Sequence, residues 1–192
     1  IRERVPLHGT TRVLEYGAGT GLVGQHLATH VGALTLTDPS AGMREVAERK
    51  VASGLFPPGT RVLDLDLSRA PAPTGTEADV VVTAMTLHHI PDLAPVLRGL
   101  AELLVDGGVL CIADLELEDG SFHAHDPGFE GHHGFERDAL TAQLETAGFE
   151  DVEIVAMRQL SIDDDERRRP VIDPSQRRVS VRCDRHLEVV GE

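Results

Sequence analysis

Strand-like and helix-like signals alternate along this 192-residue chain, and that alternation restricts the folds open to it more than any other feature. Residues 12–16 are a run of β-formers that ends on Gly17, and residues 22–30 follow with a helical pattern. Residues 33–37 are a second strand, closed by Asp38-Pro39. Ser40 then stands as the N-cap of a helix running to about Ser53, with Met43, Val46 and Ala47 on one face. Residues 61–65 are a third strand. Pro71 and Pro73 exclude a regular helix from residues 68–78, which are predicted as a loop. Residues 79–83 are a fourth, buried strand. From about Asp92, the positions Leu93, Val96, Leu97, Leu100, Leu103 and Leu104 make a helical stripe, with a glycine stop expected at Asp106-Gly107-Gly108. Residues 109–115 are a fifth strand, 116–134 a polar, His-rich loop, and 136–147 a helix ending at Gly148. The last two strands are expected at residues 152–155 and 187–190, with the charged run 163–169 as a solvated loop between them.

Alternating strands and helices predict a doubly wound, mostly parallel α/β sheet with helices on both faces, in which ligands bind at the carboxyl ends of the strands. Five clusters fall at such ends: residues 15–21, Asp38, residues 64–66, residues 83–89, and Asp114 onward. Hydrophobic residues make up 41% of the chain, but there is no Trp, one Tyr and five Phe, so the core must be aliphatic. The formal net charge of −14 repels polyanions, so neither nucleic acid nor an anionic membrane is an expected partner. No apolar run approaches the roughly 18 residues of a membrane span. Two isolated cysteines, Cys111 and Cys183, make no disulfide framework. With no signal peptide visible, the expected compartment is the cytoplasm.

The stretch Glu15-Tyr16-Gly17-Ala18-Gly19-Thr20-Gly21 joins the first strand to the first helix. Alternate glycines allow tight turns and let a ligand come against the backbone. Glu15 can accept hydrogen bonds from loop amides or, through water, from a ligand ammonium. Gly19-Thr20-Gly21-Leu22-Val23-Gly24 also fits the dinucleotide pattern G-x-G-x-x-G. A NAD-binding oxidoreductase is therefore a rival, but it leaves Gly17 and the acid at 15 unexplained and leaves little chain for a substrate domain.

Residues 13–21 resemble motif I of the class I S-adenosylmethionine (SAM)-dependent methyltransferases. The resemblance runs from about Arg12 to Phe149. Ala84-Met85-Thr86-Leu87-His88-His89-Ile90, Leu104-Val105-Asp106-Gly107-Gly108 and Glu118-Asp119-Gly120-Ser121-Phe122-His123 resemble a bacterial and archaeal subgroup. The resemblance implies a seven-stranded Rossmann-like sheet and SAM as cofactor, with Glu15, Gly17, Gly19 and Gly21 around its methionine part. It implies Asp38 on the ribose hydroxyls and Asp66, or else Asp64, on the adenine amino group. Met43 either covers the adenine face or belongs to the core, and Thr83 is counted with the cofactor-binding residues at the end of the fourth strand. The expected reaction is methyl transfer to a small molecule. The expected domain is a single one over residues 1–192, in which the N-terminal helices that close over SAM in family members are not visible. That departure keeps open a second reading, a SAM- or nucleotide-binding protein without transferase activity.

His88 and His89 follow the fourth strand, where the transferable methyl group is expected, and are candidates for a general base. His123, His125, His132 and His133 lie in the loop after the fifth strand. His123 and His133 are expected to bind the acceptor from a mobile lid. Their spacing matches no structural zinc pattern, so no metal is expected.

Overall fold

Strands and helices alternate in the structure as they do in the sequence. The computed structural model describes residues 5, 7–158 and 177–184. The elements are β1 (Arg12–Tyr16), α1 (Leu22–Leu27) continued by a 3₁₀ turn (Ala28–His30), β2 (Ala33–Thr37), α2 (Ala41–Ala52), β3 (Arg61–Leu63), β4 (Ala78–Ala84), α3 (Leu93–Leu103), β5 (Leu104–Leu115), α4 (Arg137–Thr146), β6 (Glu150–Arg158) and β7 (Arg177–Asp184). Among the described residues the strands form one seven-stranded sheet in the order β3-β2-β1-β4-β5-β7-β6. β3, β2, β1, β4 and β5 run parallel side by side. β7 enters antiparallel to both β5 and β6.

Both faces of the parallel strands are buried, and the side chains sort between them with the period of two that a strand imposes. Val80 and Val82 of β4 and Cys111 of β5 face a cluster with Leu27 of α1 and Ala47 of α2. Val81, Leu110 and Ile112 face the other cluster, with Val96, Leu97 and Leu100 of α3 and Leu140 and Leu144 of α4. α2, α3 and α4 each begin on a side-chain cap, whereas α1 begins on Gly21 without one. Ser40 Oγ accepts from Met43 N at 3.4 Å, Asp92 Oδ1 from Ala94 N at 3.1 Å, and Glu136 Oε2 from Ala139 N at 2.8 Å. Pro95 sits in the first turn of α3, where a missing N–H breaks no helical bond.

The structure corrects two expectations. The third strand stops at Leu63, two residues short of Leu65. The glycine stop at Asp106-Gly107-Gly108 is not a helix cap. α3 ends at Leu103, Leu104 pairs with Ala78, and pairing resumes at Val80 with Val109, so the intervening residues are an irregularity in the strand, with Gly107 at φ 70°. The seventh strand is Arg177–Asp184. Residues 187–190 and the charged run 163–169 lie outside the described residues. No helix among the described residues is long and apolar enough to cross a membrane.

Candidate functional site at the carboxyl ends of the strands

The parallel strands β2, β1, β4 and β5 deliver their carboxyl ends to one edge of the sheet, where a cavity of about 500 Å³ opens. Its walls include Gly17 and Gly19, Asp38, Met43, Asp66, Met85 and His89. Gly17, Gly19 and Gly21 all have left-handed backbone, at φ 69°, 55° and 78°, a region that side chains with a Cβ enter only at a cost. A Cβ on Gly17 would collide with the Thr86 side chain, whose hydroxyl donates to Gly17 O at 3.2 Å. A Cβ on Gly19 would meet no protein atom within 4 Å. Since Gly19 lines the cavity, its bare backbone leaves that side open to a ligand.

Asp38 follows the end of β2 and braces this loop. Its Oδ2 accepts from Gly19 N and its Oδ1 from Ser40 N, both at 2.8 Å. A carboxylate oxygen has two acceptor positions, so one on each oxygen remains for a ligand. Met43, in the first turn of α2, is 44% exposed on the same wall. An exposed thioether there offers a soft apolar surface to a flat ring. Asp66 lines the cavity, whereas Asp64 does not; Asp64 pairs with Arg44 at 3.0 Å and points to solvent. Asp66 is oriented by Ser68 and by Arg69, at 3.1 Å. Tyr16 secures that segment, because its hydroxyl oxygen accepts from Leu67 N at 3.2 Å. Burial pushes the Tyr16 phenol up to about 12, so it stays neutral.

Three residues expected at the cofactor stand behind the wall. Glu15 is buried and its Oε2 accepts from Gly24 N at 2.8 Å, so it anchors the start of α1. Desolvation pushes its carboxyl up to about 7, opposed by the Gly24 bond. Gly21 is the N-cap of α1, and a Cβ there would press on Leu36 and Phe56 at 3.0 Å. It serves the packing of α1 on the sheet. Thr83 is fully buried within β4, its hydroxyl without a partner among the described residues.

The β4 and β5 ends carry the histidines. Met85 has φ 53°, strained for a residue with a side chain, and is held by donating its N–H to Ala113 O at 2.8 Å. The turn that follows puts His88 inward and His89 on the cavity wall. Asp114, fully buried, accepts from Thr86 N (3.2 Å), Leu87 N (2.9 Å), Leu115 N (2.8 Å) and His88 Nδ1 (2.6 Å). A carboxylate so engaged can only accept, so Nδ1 donates in this bond, and Nε2 is buried without a hydrogen-bond partner among the described residues. The loop 116–134 closes over this turn: His132 N donates to His88 O at 2.7 Å, and His123 stacks on Phe129 with ring centroids 3.7 Å apart. His123 is thereby buried beside His88 and His89, at centroid separations of 5.2 and 5.4 Å. His133 lies farther out, 3.7 Å from Glu118 and half exposed. His89 and His123 are both held below the ordinary histidine pKa, first by desolvation and then by the neighbouring imidazoles. Both rings are therefore biased toward the neutral form.

Sequence reasoning missed Tyr16, Thr86 and the bond between His88 and Asp114. The last had a signal. β4 and β5 are adjacent parallel strands with Ala84 opposite Ala113, so the residues that leave their ends must meet.

The sequence profile described as "Methyltransferase domain" matches residues 3–154. An uncharacterised methyltransferase of Schizosaccharomyces pombe is 30% identical over 162 residues, which are 78% of this chain and 57% of that protein. A ubiquinone biosynthesis O-methyltransferase of Marinobacter nauticus is 32% identical over 123 residues, 64% of this chain and 51% of its own length. The chain thus spans little more than half the length of these two relatives. Among solved structures, a SAM-dependent methyltransferase of Methanosarcina mazei superposes with a TM-score of 0.72 at 16% identity, covering 95% of this chain and 96% of that one. An N-methyltransferase of Haemonchus contortus, solved with phosphomonomethylethanolamine and S-adenosylhomocysteine, superposes with a TM-score of 0.75 at 14% identity, covering 97% of this chain and 51% of that one. These two likenesses are of fold. Taken with the glycine loop between β1 and α1, the profile match over residues 3–154 means that this chain belongs to the methyltransferase domain family.

Proposed function

We propose that the protein is a SAM-dependent methyltransferase acting on a small-molecule acceptor. The observation that carries this reading is the pairing of Gly19, open toward the cavity, with the Asp38 carboxylate that fixes its amide. The cavity, at about 500 Å³, is within the roughly 300–1,000 Å³ of small-molecule sites. The spare acceptor positions of Asp38 suit a vicinal diol such as a ribose. Met43 offers the ring contact and Asp66 an acceptor for an exocyclic amine. Gly17 and Gly19 keep the backbone close to the ligand.

Bound there, SAM supplies a methyl carbon made electrophilic by its sulfonium. The chain's own task is to orient donor and acceptor and to exclude water. His89, on the cavity wall and biased toward its neutral form, is suited to accept a proton from a protic acceptor. His88 supports it from behind, held by Asp114. His123 and His133 extend the loop over residues 116–134 as the acceptor's side of the site. The net charge of −14 favours a small molecule over nucleic acid.

Calorimetry with SAM and with NAD tests the reading. One SAM site per chain is expected, with NAD not competing. Asp38→Asn, which keeps one carbonyl oxygen in place, should weaken SAM by about 1.5–3 kcal/mol for each charge-assisted bond lost. Undiminished affinity in Asp38→Asn, or preference for NAD, overturns the reading. SAM binding without turnover across a panel of hydroxyl, amine and thiol acceptors would favour the binding-protein alternative.

A further inference from the structure

Three imidazoles of the site, those of His88, His89 and His123, share an arrangement that proton transfer does not require. His88 is 1% exposed and His123 8%. His88 Nε2 and His123 Nδ1 are both buried without a hydrogen-bond partner among the described residues. A buried, unpaired ring nitrogen is costly, and two side by side ask for a common occupant. His89 joins them from the cavity side. One ring nitrogen from each of the three residues lies within 4.8 Å of those of the others.

We propose that His88, His89 and His123 form a three-nitrogen site for a first-row divalent cation, zinc foremost, with its open position toward the cleft. Three imidazoles and a vacant fourth position are the donor set of catalytic zinc sites. Borderline-soft nitrogen ligands select zinc, cobalt or nickel over magnesium and calcium. His88 also has the outer support such ligands need, since its Nδ1 is held by the buried Asp114 at 2.6 Å. That bond presents Nε2 as the metal-facing lone pair. Glu118 adds negative charge close by, with Oε1 buried and without a hydrogen-bond partner among the described residues, its nearest cationic group being His133 Nδ1 at 3.7 Å. Tetrahedral ligands at zinc distances stand about 3.3 Å apart, so binding draws the rings together by an ångström or so. His89 is exposed and has the freedom to make most of that movement.

The site changes what the cleft can accept. It rests on the methyltransferase reading only for its purpose. A cation here would occupy the lone pair that His89 otherwise offers a proton, and would take over that activating role: it would hold the oxygen or sulfur of an acceptor in its fourth position and lower that group's pKa, with the proton released to solvent. It would therefore suit a hydroxyl or thiol acceptor better than an amine already protonated. The absence of a recognisable spacing in the sequence is explained by the fold: two ligands come from the turn after β4, and the third comes from a loop 34 residues later that the turn itself ties down.

The test uses the purified chain, stripped with chelator and titrated with Co²⁺ and then Zn²⁺. One Co²⁺ per chain is expected, with the intense visible absorption of four-coordinate cobalt, displaced by Zn²⁺. His89→Ala removes an exposed ligand and should keep the melting temperature of the stripped protein. It should weaken Co²⁺ binding beyond the roughly 10–100-fold that outer-shell changes cost, and His123→Ala should do the same. Asp114→Asn should fall within that roughly 10–100-fold range. His125→Ala, next to the cluster but outside it, should bind Co²⁺ as wild type does. No stoichiometric Co²⁺, six-coordinate spectra, or equal affinity in wild type and His89→Ala overturns the proposal. SAM calorimetry on the stripped protein separates the two claims. Retained SAM binding with no metal site sinks the metal alone, whereas a metal site without SAM binding sinks the methyltransferase reading alone.

Discussion

Replacing Gly19 by Ala separates what the glycine loop does for folding from what it does for binding. The backbone at Gly19 has φ 55°, and an added Cβ meets no protein atom within 4 Å. The folding cost is therefore the left-handed conformation alone, about 1–2 kcal/mol. For a domain of this size each kcal/mol lowers Tm by about 2–4 °C, so the variant should melt about 2–8 °C below wild type. Gly54, just past the end of α2, supplies the control: φ is 80° and its Cβ direction is also open, but it does not line the cavity. Gly54→Ala should show the same loss of Tm. Only Gly19→Ala places its methyl group on the cavity wall, and it should raise the Kd for SAM at least about tenfold, or about 1.4 kcal/mol. Gly19→Val, with a branched side chain, should abolish binding in a protein still folded by circular dichroism. Thermal melts and calorimetry on the same preparations read both quantities. Equal SAM affinity in Gly19→Ala and Gly54→Ala would refute the reasoning, because the loop would then shape the turn without touching the ligand.

Three further outcomes follow from the same contacts. Glu15 has its folded pKa raised from 4.5 to about 7, so the folded state binds the extra proton between those values and stability falls as pH rises through that window. At about 1.4 kcal/mol per pH unit the loss reaches about 3 kcal/mol; Glu15→Gln should flatten the Tm profile between pH 5 and 8, and parallel profiles would refute it. Tyr16→Phe removes the acceptor of Leu67 N and should cost about 1–3 kcal/mol in denaturant unfolding, with weaker SAM binding through a loosened Asp66. Leu100→Ala, at a fully buried position of α3, should cost about 2–5 kcal/mol and leave SAM affinity within twofold for the protein that remains folded; a loss of only a few tenths would mean that α3 is not tightly packed on the sheet.

Local periodicity was enough to read most of the architecture, because each strand and helix advertises its own repeat. Arg12–Tyr16, Ala33–Thr37, the cap Ser40 and the start of α3 near Asp92 stand where the residues indicate. The same is true of Gly17, Gly19 and Asp38 on the cavity wall, since parallel strands send their carboxyl ends to a single edge. Side-chain direction at a strand's end was not legible in this way. Glu15 turns to α1 and Thr83 into the sheet, because a strand alternates its faces and which face meets the cleft depends on the neighbours. The end of α3 was misplaced because Leu104 extends the apolar stripe equally well as helix or strand, and pairing with Ala78 decides the matter. Nothing local announces that His123 packs against His88 and His89. That contact exists because β4 and β5 are neighbours and the loop 116–134 folds back onto the turn after β4. The sequence by itself determined the alternating α/β frame and the glycine-and-acid cradle, whose signals span a few residues each. The tertiary structure alone decided which histidines meet and which acid holds them, because contacts between residues far apart in the chain depend on strand order and have no period to read.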